Sequence, residues 1–334
     1  MSQVELGDLA SFHAWLSKAC ERGPVPVLTG KNGDMDTVGS AIALAASHPR
    51  LMACGIHLGR TAKRVVDQLQ APFRKIAPVH TSWPNAIGGI VIVDAAAPGQ
   101  VGVSLPDGVP LCILDHHATS DWTLTDEDLN LQWDVRATTQ IIDQYLLEYA
   151  PEARTDVVRK MLLAGLITDT GRFRHADSGA FASAYALLDN SSIDYASFLQ
   201  FIELETTSPS ERGSLLRGLS RAKSIDSGSW NIVHTYSGTL EGRLATMLVG
   251  TGAEIALVSR FRDGETRLTA RAPRTSTQQG VHLGNLMAAV AERLGGEGGG
   301  HDGAAGWSGK ADRIAAESAF IAQVAVAART EANT

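Results

Sequence analysis

Apolar and polar positions along this chain fall into two rhythms. Short, nearly uninterrupted apolar runs occur at VPVLT (25–29), LMACGIHLG (51–59), IGGIVIVDAAAP (87–98) and VPLCILDHHA (109–118). Runs of this length, bounded by glycine, proline or aspartate, predict strands buried on both faces. A 3.6-residue spacing predicts helices at 37–48, 61–70, 136–149, 155–168 and 178–188. The N-terminal twenty residues predict a further amphipathic helix, with Leu9, Phe12, Leu16 and Ala19 on one face. Strand and helix in alternation predict an α/β fold: a mainly parallel sheet of five or so strands with flanking helices. In such sheets ligands collect beyond the carboxyl ends of the strands, so the residues that close each apolar run are the first place to look for chemistry.

From 192 to 225 the pattern turns polar, helical and rich in Ser and Arg, which predicts a helical linker. Strands are predicted again at WNIVHTYS (230–237), EIALVSRFRDG (254–264) and ETRLTARAP (265–273), with RDGE as the hairpin turn between the last two. LGNLMAAVAERLGG predicts a helix stopped by glycine. The stretch GGEGGGHDGAAGWSG (295–309) predicts a glycine-rich loop, and an Ala-rich helix follows at 314–329. At 334 residues the chain exceeds what one core usually serves, and the pattern divides it into 1–191, the linker, and a smaller α/β domain at 226–330.

Composition narrows the function classes. A net charge of −7 argues against a broad basic surface, so long duplex DNA is not an expected partner. No apolar run approaches the roughly 20 residues of a membrane helix, and the N-terminus lacks a basic-then-apolar leader pattern. Three scattered cysteines, without metal-ligand spacing, predict reduced core thiols and a cytoplasmic home.

The chemistry concentrates at four acidic stations. KNGDMDTVGS offers Asp34 and Asp36; Asp94 closes IVIVD; Asp115, His116 and His117 close CILDHH; Asp169 leads into a Thr-Gly turn in GLITDTGRFRH. Each alone reads as a cap or turn former. Several carboxylates gathered at one sheet edge would repel and raise one another's pKa, which a divalent cation relieves. Oxygen and imidazole donors together suit Mn²⁺ or similar ions. Arg172 and Arg174 beside Asp169 read equally as phosphate contacts or surface charges. His57, His80 and His175 have no orienting partner in the sequence, and core or surface placement is expected for them. GKNGDMDTVGS lacks the GxxxxGK[ST] spacing of a P-loop.

DMD, VIVD, LDHH and ITDTG, in this order, resemble the four signature motifs of the DHH phosphoesterase superfamily. GGGHDGAAG resembles the glycine-histidine motif of the companion DHHA1 domain. Together they span residues 30 to 306, in the architecture of nanoRNases and pAp-phosphatases, with relatives among RecJ-like exonucleases. The resemblance implies a DHH catalytic domain at 1–191 and a DHHA1 substrate-binding domain at 226–330. It also implies two Mn²⁺ per site, with Mg²⁺ or Co²⁺ as substitutes. Asp34 would hold one ion, Asp36, His116 and Asp169 the other, and Asp94 would bridge them; His117 would touch phosphate rather than ligate. Gly298, Gly299, Gly300, His301 and Arg271 would bind substrate across an interdomain cleft. Asp94, His116 and His117 are the candidate catalytic residues.

The implied activity is hydrolysis of short single-stranded oligonucleotides or small nucleotides. Alternatives within the superfamily are cyclic-dinucleotide phosphodiesterase and polyphosphatase or pyrophosphatase activity, and a homodimer is compatible with all of them. One departure matters. Many members carry a histidine four residues before the first aspartate, where this chain has Gly30; Lys31 could hold a phosphate there instead. That favours the remaining alternative, a non-catalytic or weakly metal-binding subunit associated with nucleic acid.

Overall fold

The computed structural model describes residues 3–78, 83–84, 86–203 and 207–330, so His80 lies outside the described residues. The chain divides into two compact units, Met1–Leu204 and Glu205–Thr334. The first contains α1 (Gln3–Arg22), β1 (Val25–Thr29), α2 (Met35–Ala45), β2 (Leu51–Gly55), α3 (Arg60–Leu69), β3 (Arg74–Lys75), β4 (Ile90–Val93), β5 (Leu111–Asp115), β6 (Leu129–Gln132), α4 (Thr138–Tyr149), α5 (Asp156–Asp169), α6 (Ser178–Leu188) and α7 (Tyr195–Glu203). Its sheet has six strands rather than about five, in the order β3-β2-β1-β4-β5-β6, and every pair is parallel. This is the doubly wound order, which reverses between β1 and β4 and opens a crevice at their carboxyl ends.

Strand alternation builds two separate cores. Val91 and Val93 of β4 face the cluster shared by α1, α2, α4 and α5, whereas Ile90 and Ile92 face a second cluster with Leu28, Cys54 and Val101. That second face is sealed in part by chain outside the helices and strands, including Val103, Leu105, Val109 and Trp122. β6 escapes the apolar pattern because LNLQ is an edge strand with only Leu131 buried.

α2 and α5 pack closely. A Cβ on Gly165 would lie 2.6 Å from Thr139 Cγ2 and 3.0 Å from Asp36 Cα, so only glycine lets α5 approach the start of α2. That contact seats one of the candidate ligands.

The second unit contains α8 (Pro209–Ser220), β7 (Lys223–Ser227), β8 (Trp230–Tyr236), α9 (Glu241–Gly250), β9 (Ile255–Arg262), β10 (Glu265–Arg271), α10 (Arg274–Gln278), α11 (Leu283–Leu294), β11 (Glu297–His301), β12 (Ala304–Gly309) and α12 (Arg313–Ala325). Its mixed sheet runs β11-β12-β10-β9-β8-β7, with Trp230, Leu257, Leu268, Trp307 and Phe320 in the core beneath it. The stretch 192–225, expected as a linker, is mostly helical; the division between units falls inside it, with α7 in the first unit and α8 in the second.

One expectation is corrected. The glycine-rich segment 295–309 is not a loop but the hairpin β11–β12, with Gly298↔Trp307 and Gly299↔Gly306 in register. Glu297 opens the first strand. Glycine has low strand propensity, so the pattern missed it. Ala305 and Trp307 on the partner strand supply the buried side chains that hold the pair to the core.

Candidate metal centre

The four acidic stations meet at the carboxyl edge of the first unit's sheet. Asp34 caps α2, its Oδ1 accepting from Thr37 N at 3.2 Å, and Asp36 lies in the first turn of the same helix. Asp94 follows β4 in a left-handed conformation, φ 58°, which aspartate tolerates better than most residues. Asp115 ends β5, with His116 and His117 directly after it, and Asp169 is the last residue of α5.

His116 is the hub. Its Nε2 lies 3.4 Å from Asp94 Oδ1, 3.4 Å from Asp169 Oδ2 and 4.0 Å from Asp36 Oδ2. On the other side of the ring, Nδ1 approaches the Val135 carbonyl at 3.4 Å. An Nδ1–H donated to that carbonyl leaves the Nε2 lone pair free for a cation, the arrangement metal-binding histidines adopt. His117 turns differently, with Nδ1 2.6 Å from Asp115 Oδ1 and 3.9 Å from Asp94 Oδ1. Its Nε2 is left for solvent or substrate, and 43% of the side chain is exposed.

Asp36 is fully buried and held by the start of α4. Thr138 N donates to Oδ2 at 2.7 Å and Thr139 N to Oδ1 at 3.0 Å. These are N–H groups without partners inside the helix, at the positive end of its dipole. Thr138 Oγ1 also reaches Asp94 Oδ1 at 3.4 Å.

The electrostatics record a shortage of positive charge. Burial, then the charges of Asp94 and Asp169, push the Asp36 carboxyl well above the usual carboxylate range. Burial, and after it the charge of Asp94, raises Asp34. Asp169 is pushed up to about 6, by burial first and by Asp94 and Asp34 against the opposing pull of His116. Burial alone would lower His116, but the hydrogen bond to Asp94 and the surrounding carboxylates raise it to about 9. An imidazolium thus does part of the work of a cation.

The donor set fits a metal. Ligand atoms of Asp36, His116 and Asp169 lie within 4.8 Å of one another, as do those of Asp94, His116 and His117. His116 belongs to both groups, so two ions would share or divide it. Asp34 is in neither group; it stands beside Asp94 as the N-cap of α2.

Gly30 sits against Asp94. A Cβ there would lie 3.2 Å from the Asp94 carbonyl oxygen and 3.7 Å from Thr37 Oγ1. Thr37 bridges the two segments, accepting from Gly30 N at 2.8 Å and donating to Val93 O at 3.0 Å. Lys31, a candidate phosphate contact, places Nζ 3.0 Å from the Gly99 carbonyl.

The substrate-contact candidates of the second unit also come together. Arg271 and His301 both stand opposite Ala304, from the two strands that flank β12, so they share a face about two strand spacings apart. Gly298, Gly299 and Gly300 precede His301 on the edge strand β11.

Sequence patterns missed the role of Asp115, which orients His117, and the Thr138 and Thr139 amides that grip Asp36. Asp115 was visible as part of LDHH, but its role depends on which way two adjacent rings turn. The threonine amides lie 102 and 103 residues from Asp36 and carry no side-chain signature.

Residues 238–327 match the family model of the DHHA1 domain. The uncharacterized protein MJ0988 of Methanocaldococcus jannaschii is 26% identical over 317 residues, covering 91% of this chain and 92% of that protein. The crystal structure of an exopolyphosphatase-related protein from Bacteroides fragilis superposes with a TM-score of 0.67 at 13% identity, over 97% of each chain. A pGpG-specific phosphodiesterase from Vibrio cholerae aligns over 90% of this chain and 98% of its own at 15% identity, with a TM-score of 0.42. The family-model match identifies residues 238–327 as a DHHA1 domain, and the four stations gathered on a doubly wound sheet resemble the DHH phosphoesterase motifs. The chain's fold is that of the exopolyphosphatase-related protein along nearly the whole length. Among the described residues no helix is long and apolar enough to cross a membrane.

Proposed function

We propose that the chain is a divalent-metal-dependent phosphoesterase acting on short single-stranded oligonucleotides or small nucleotides. The observation that carries this reading is the convergence of Asp36, Asp94 and Asp169 on one imidazole, His116, at the switch point of the sheet. Asp36, His116 and Asp169 would hold one Mn²⁺, Asp34 a second, with Asp94 shared between them. Bound ions supply Lewis acidity toward a phosphoryl oxygen and lower the pKa of an attacking water.

The chain's own groups do the rest. The α4 amides fix the Asp36 carboxylate so that it needs no rearrangement on binding. The Val135 carbonyl selects the His116 tautomer. Asp115 holds His117 so that Nε2 can meet a phosphoryl oxygen. Arg271, His301 and the glycines of β11 are proposed to contact substrate phosphate through charge and through backbone N–H groups.

The test is hydrolysis of a 5′-labelled dinucleotide with Mn²⁺ by wild type and by Asp94→Ala. Metal-dependent cleavage that the variant lacks supports the reading, and a panel of pAp, cyclic dinucleotides and longer strands then assigns the substrate. A second reading, a binding subunit without catalysis, is favoured by one observation: Gly30 stands beside Asp94, its Cβ position 3.2 Å from the Asp94 carbonyl, and supplies no ligand where the motif-one histidine usually stands. Absence of cleavage, together with absence of Mn²⁺ binding by calorimetry, selects that reading.

A further inference from the structure

Directly after Asp169 the backbone does something costly. Gly171, Arg172 and Phe173 all take positive φ, at 57°, 61° and 62°. For arginine and phenylalanine this conformation is strained by the order of 1 kcal/mol each, and such strain persists only where surrounding structure enforces it. Here the enforcement is explicit. Arg172 N donates to Ile167 O at 2.7 Å, His175 N to Thr170 O at 3.0 Å, and Phe173 N to the buried Thr170 hydroxyl at 3.0 Å.

The turn delivers Phe173 onto α6, where its ring stacks on Phe181 with centroids 5.3 Å apart and planes 19° from parallel. Phe181 is 55% exposed, and Tyr185, one helical turn on, is 69% exposed. The helix that carries this face is tied to the start of α4, which holds Asp36, at two points, and Phe173 itself lies four residues after Asp169. Gln140 Nε2 bonds Ser183 Oγ at 3.1 Å, next to Thr139, whose amide holds Asp36. Arg136 Nε bonds Asp177, the cap of α6, at 2.8 Å, two residues before Thr138, whose amide also holds Asp36. Two arginines flank Phe173: Arg172 is paired with Glu203 at 2.6 Å, whereas exposed Arg174 has no ionic partner among the described residues.

We propose that the Phe181–Phe173 pair is the stacking platform for one nucleobase of the substrate, with Arg174 as the cation for an adjoining phosphate. The proposal rests on the phosphoesterase reading and narrows it to substrates that carry a base. Two rings and a neighbouring tyrosine suit a single planar base. They fall far short of the roughly 800 Å² per partner that a stable protein interface buries. Stacking on an aromatic face is tolerant of base identity, so the platform serves mixed sequences. Rigid attachment through a strained turn suits a surface that must hold its distance from the reacting centre.

The experiment compares 5′-phosphorylated ApA with an abasic phosphodiester of the same length, using the full chain with Mn²⁺. Phe181→Ala is expected to raise KM for ApA roughly tenfold with kcat little changed, and Phe181→Trp to restore it. The preference of wild type for ApA over the abasic substrate should collapse in Phe181→Ala. Phe261→Ala, which removes an exposed aromatic of the second unit, serves as the neutral control. Equal KM values in wild type and Phe181→Ala on both substrates overturn the platform and leave the phosphoesterase intact. The same holds if Phe181→Ala only converts a dimer to a monomer in sedimentation with KM unmoved. Cleavage of neither substrate nor of the wider nucleotide panel by wild type, with no Mn²⁺ binding by calorimetry, refutes the phosphoesterase reading, and the platform falls with it.

Discussion

Two aspartates in the first unit lose all contact with water, and their surroundings differ in kind. Asp143 has a base of its own: Arg154 Nε bonds Oδ1 at 2.8 Å and Nη2 bonds Oδ2 at 3.3 Å. Burial pushes its carboxyl up, and Arg154 pulls against it. Asp36 has two backbone amides, faces two further carboxylates, and shares a single imidazole with them. A buried acid with a private base is a structural tie. A buried acid among acids leaves uncompensated charge, and the cheapest compensation is a multivalent cation.

The largest effect that would sharpen this contrast is catalytic. Asp36→Asn keeps one backbone amide contact and loses the other, because its NH₂ cannot accept from an N–H, and should lower Mn²⁺-dependent hydrolysis by roughly a thousandfold or more, read from initial rates at saturating metal. Full activity in that variant would reduce Asp36 to a helix tie.

Stability should respond the other way round. Arg154→Met strands the Asp143 charge in the core and is expected to cost about 3–5 kcal/mol in urea unfolding. Metal-free Asp36→Asn, by contrast, should cost far less, because relieved repulsion offsets the one amide contact it loses. Equal losses in the two variants would erase the distinction between the sites.

The pH dependence follows from the same imbalance. In the metal-free protein Asp169, with a pKa of about 6 against an ordinary 3.8, keeps a proton that the unfolded chain releases. Stability associated with it therefore falls as pH rises from about 3.8 through 6. His116, raised from 6.5 to about 9, contributes stability that is full below 6.5 and is lost as pH rises through 9. Thermal melts should show wild type losing ground to Asp169→Asn across the lower window. Added Mn²⁺ should raise the melting temperature at pH 8 far more than at pH 5, where protons compete for the ligands. A metal shift independent of pH would count against these ligands.

The smallest effect concerns Gly30. Alanine there must displace the Asp94 carbonyl by a few tenths of an ångström from its 3.2 Å approach, at a cost of about 1 kcal/mol. The accompanying shift of Asp94 should weaken Mn²⁺ binding by calorimetry, whereas an unchanged affinity would show that the carbonyl moves without its side chain.

Much of the site was legible in the pattern because strand ends are legible. Val25–Thr29 appears as the apolar run predicts, and Asp94 and Asp115 close their runs at the carboxyl edge. Each candidate ligand sits within a few residues of a strong local signal: a strand end, a cap or a turn. What escaped lacks such a signal. β11 is Glu, three glycines and His, and becomes a strand only because β12 offers it a ladder. β6 is an edge strand with a single buried side chain. The stacking of Phe173 on Phe181 depends on a left-handed turn that a GRFR string does not announce.

The order of apolar runs, helical periods and acidic closures is local information, and from it the sequence alone determined an α/β fold with candidate ligands at the sheet's carboxyl edge. Which carboxylates share His116, which helix start grips Asp36, and which way His117 turns were decided by tertiary structure. These depend on contacts between residues up to 103 positions apart, and their energies come from burial and from facing charge, neither of which exists until the chain has folded.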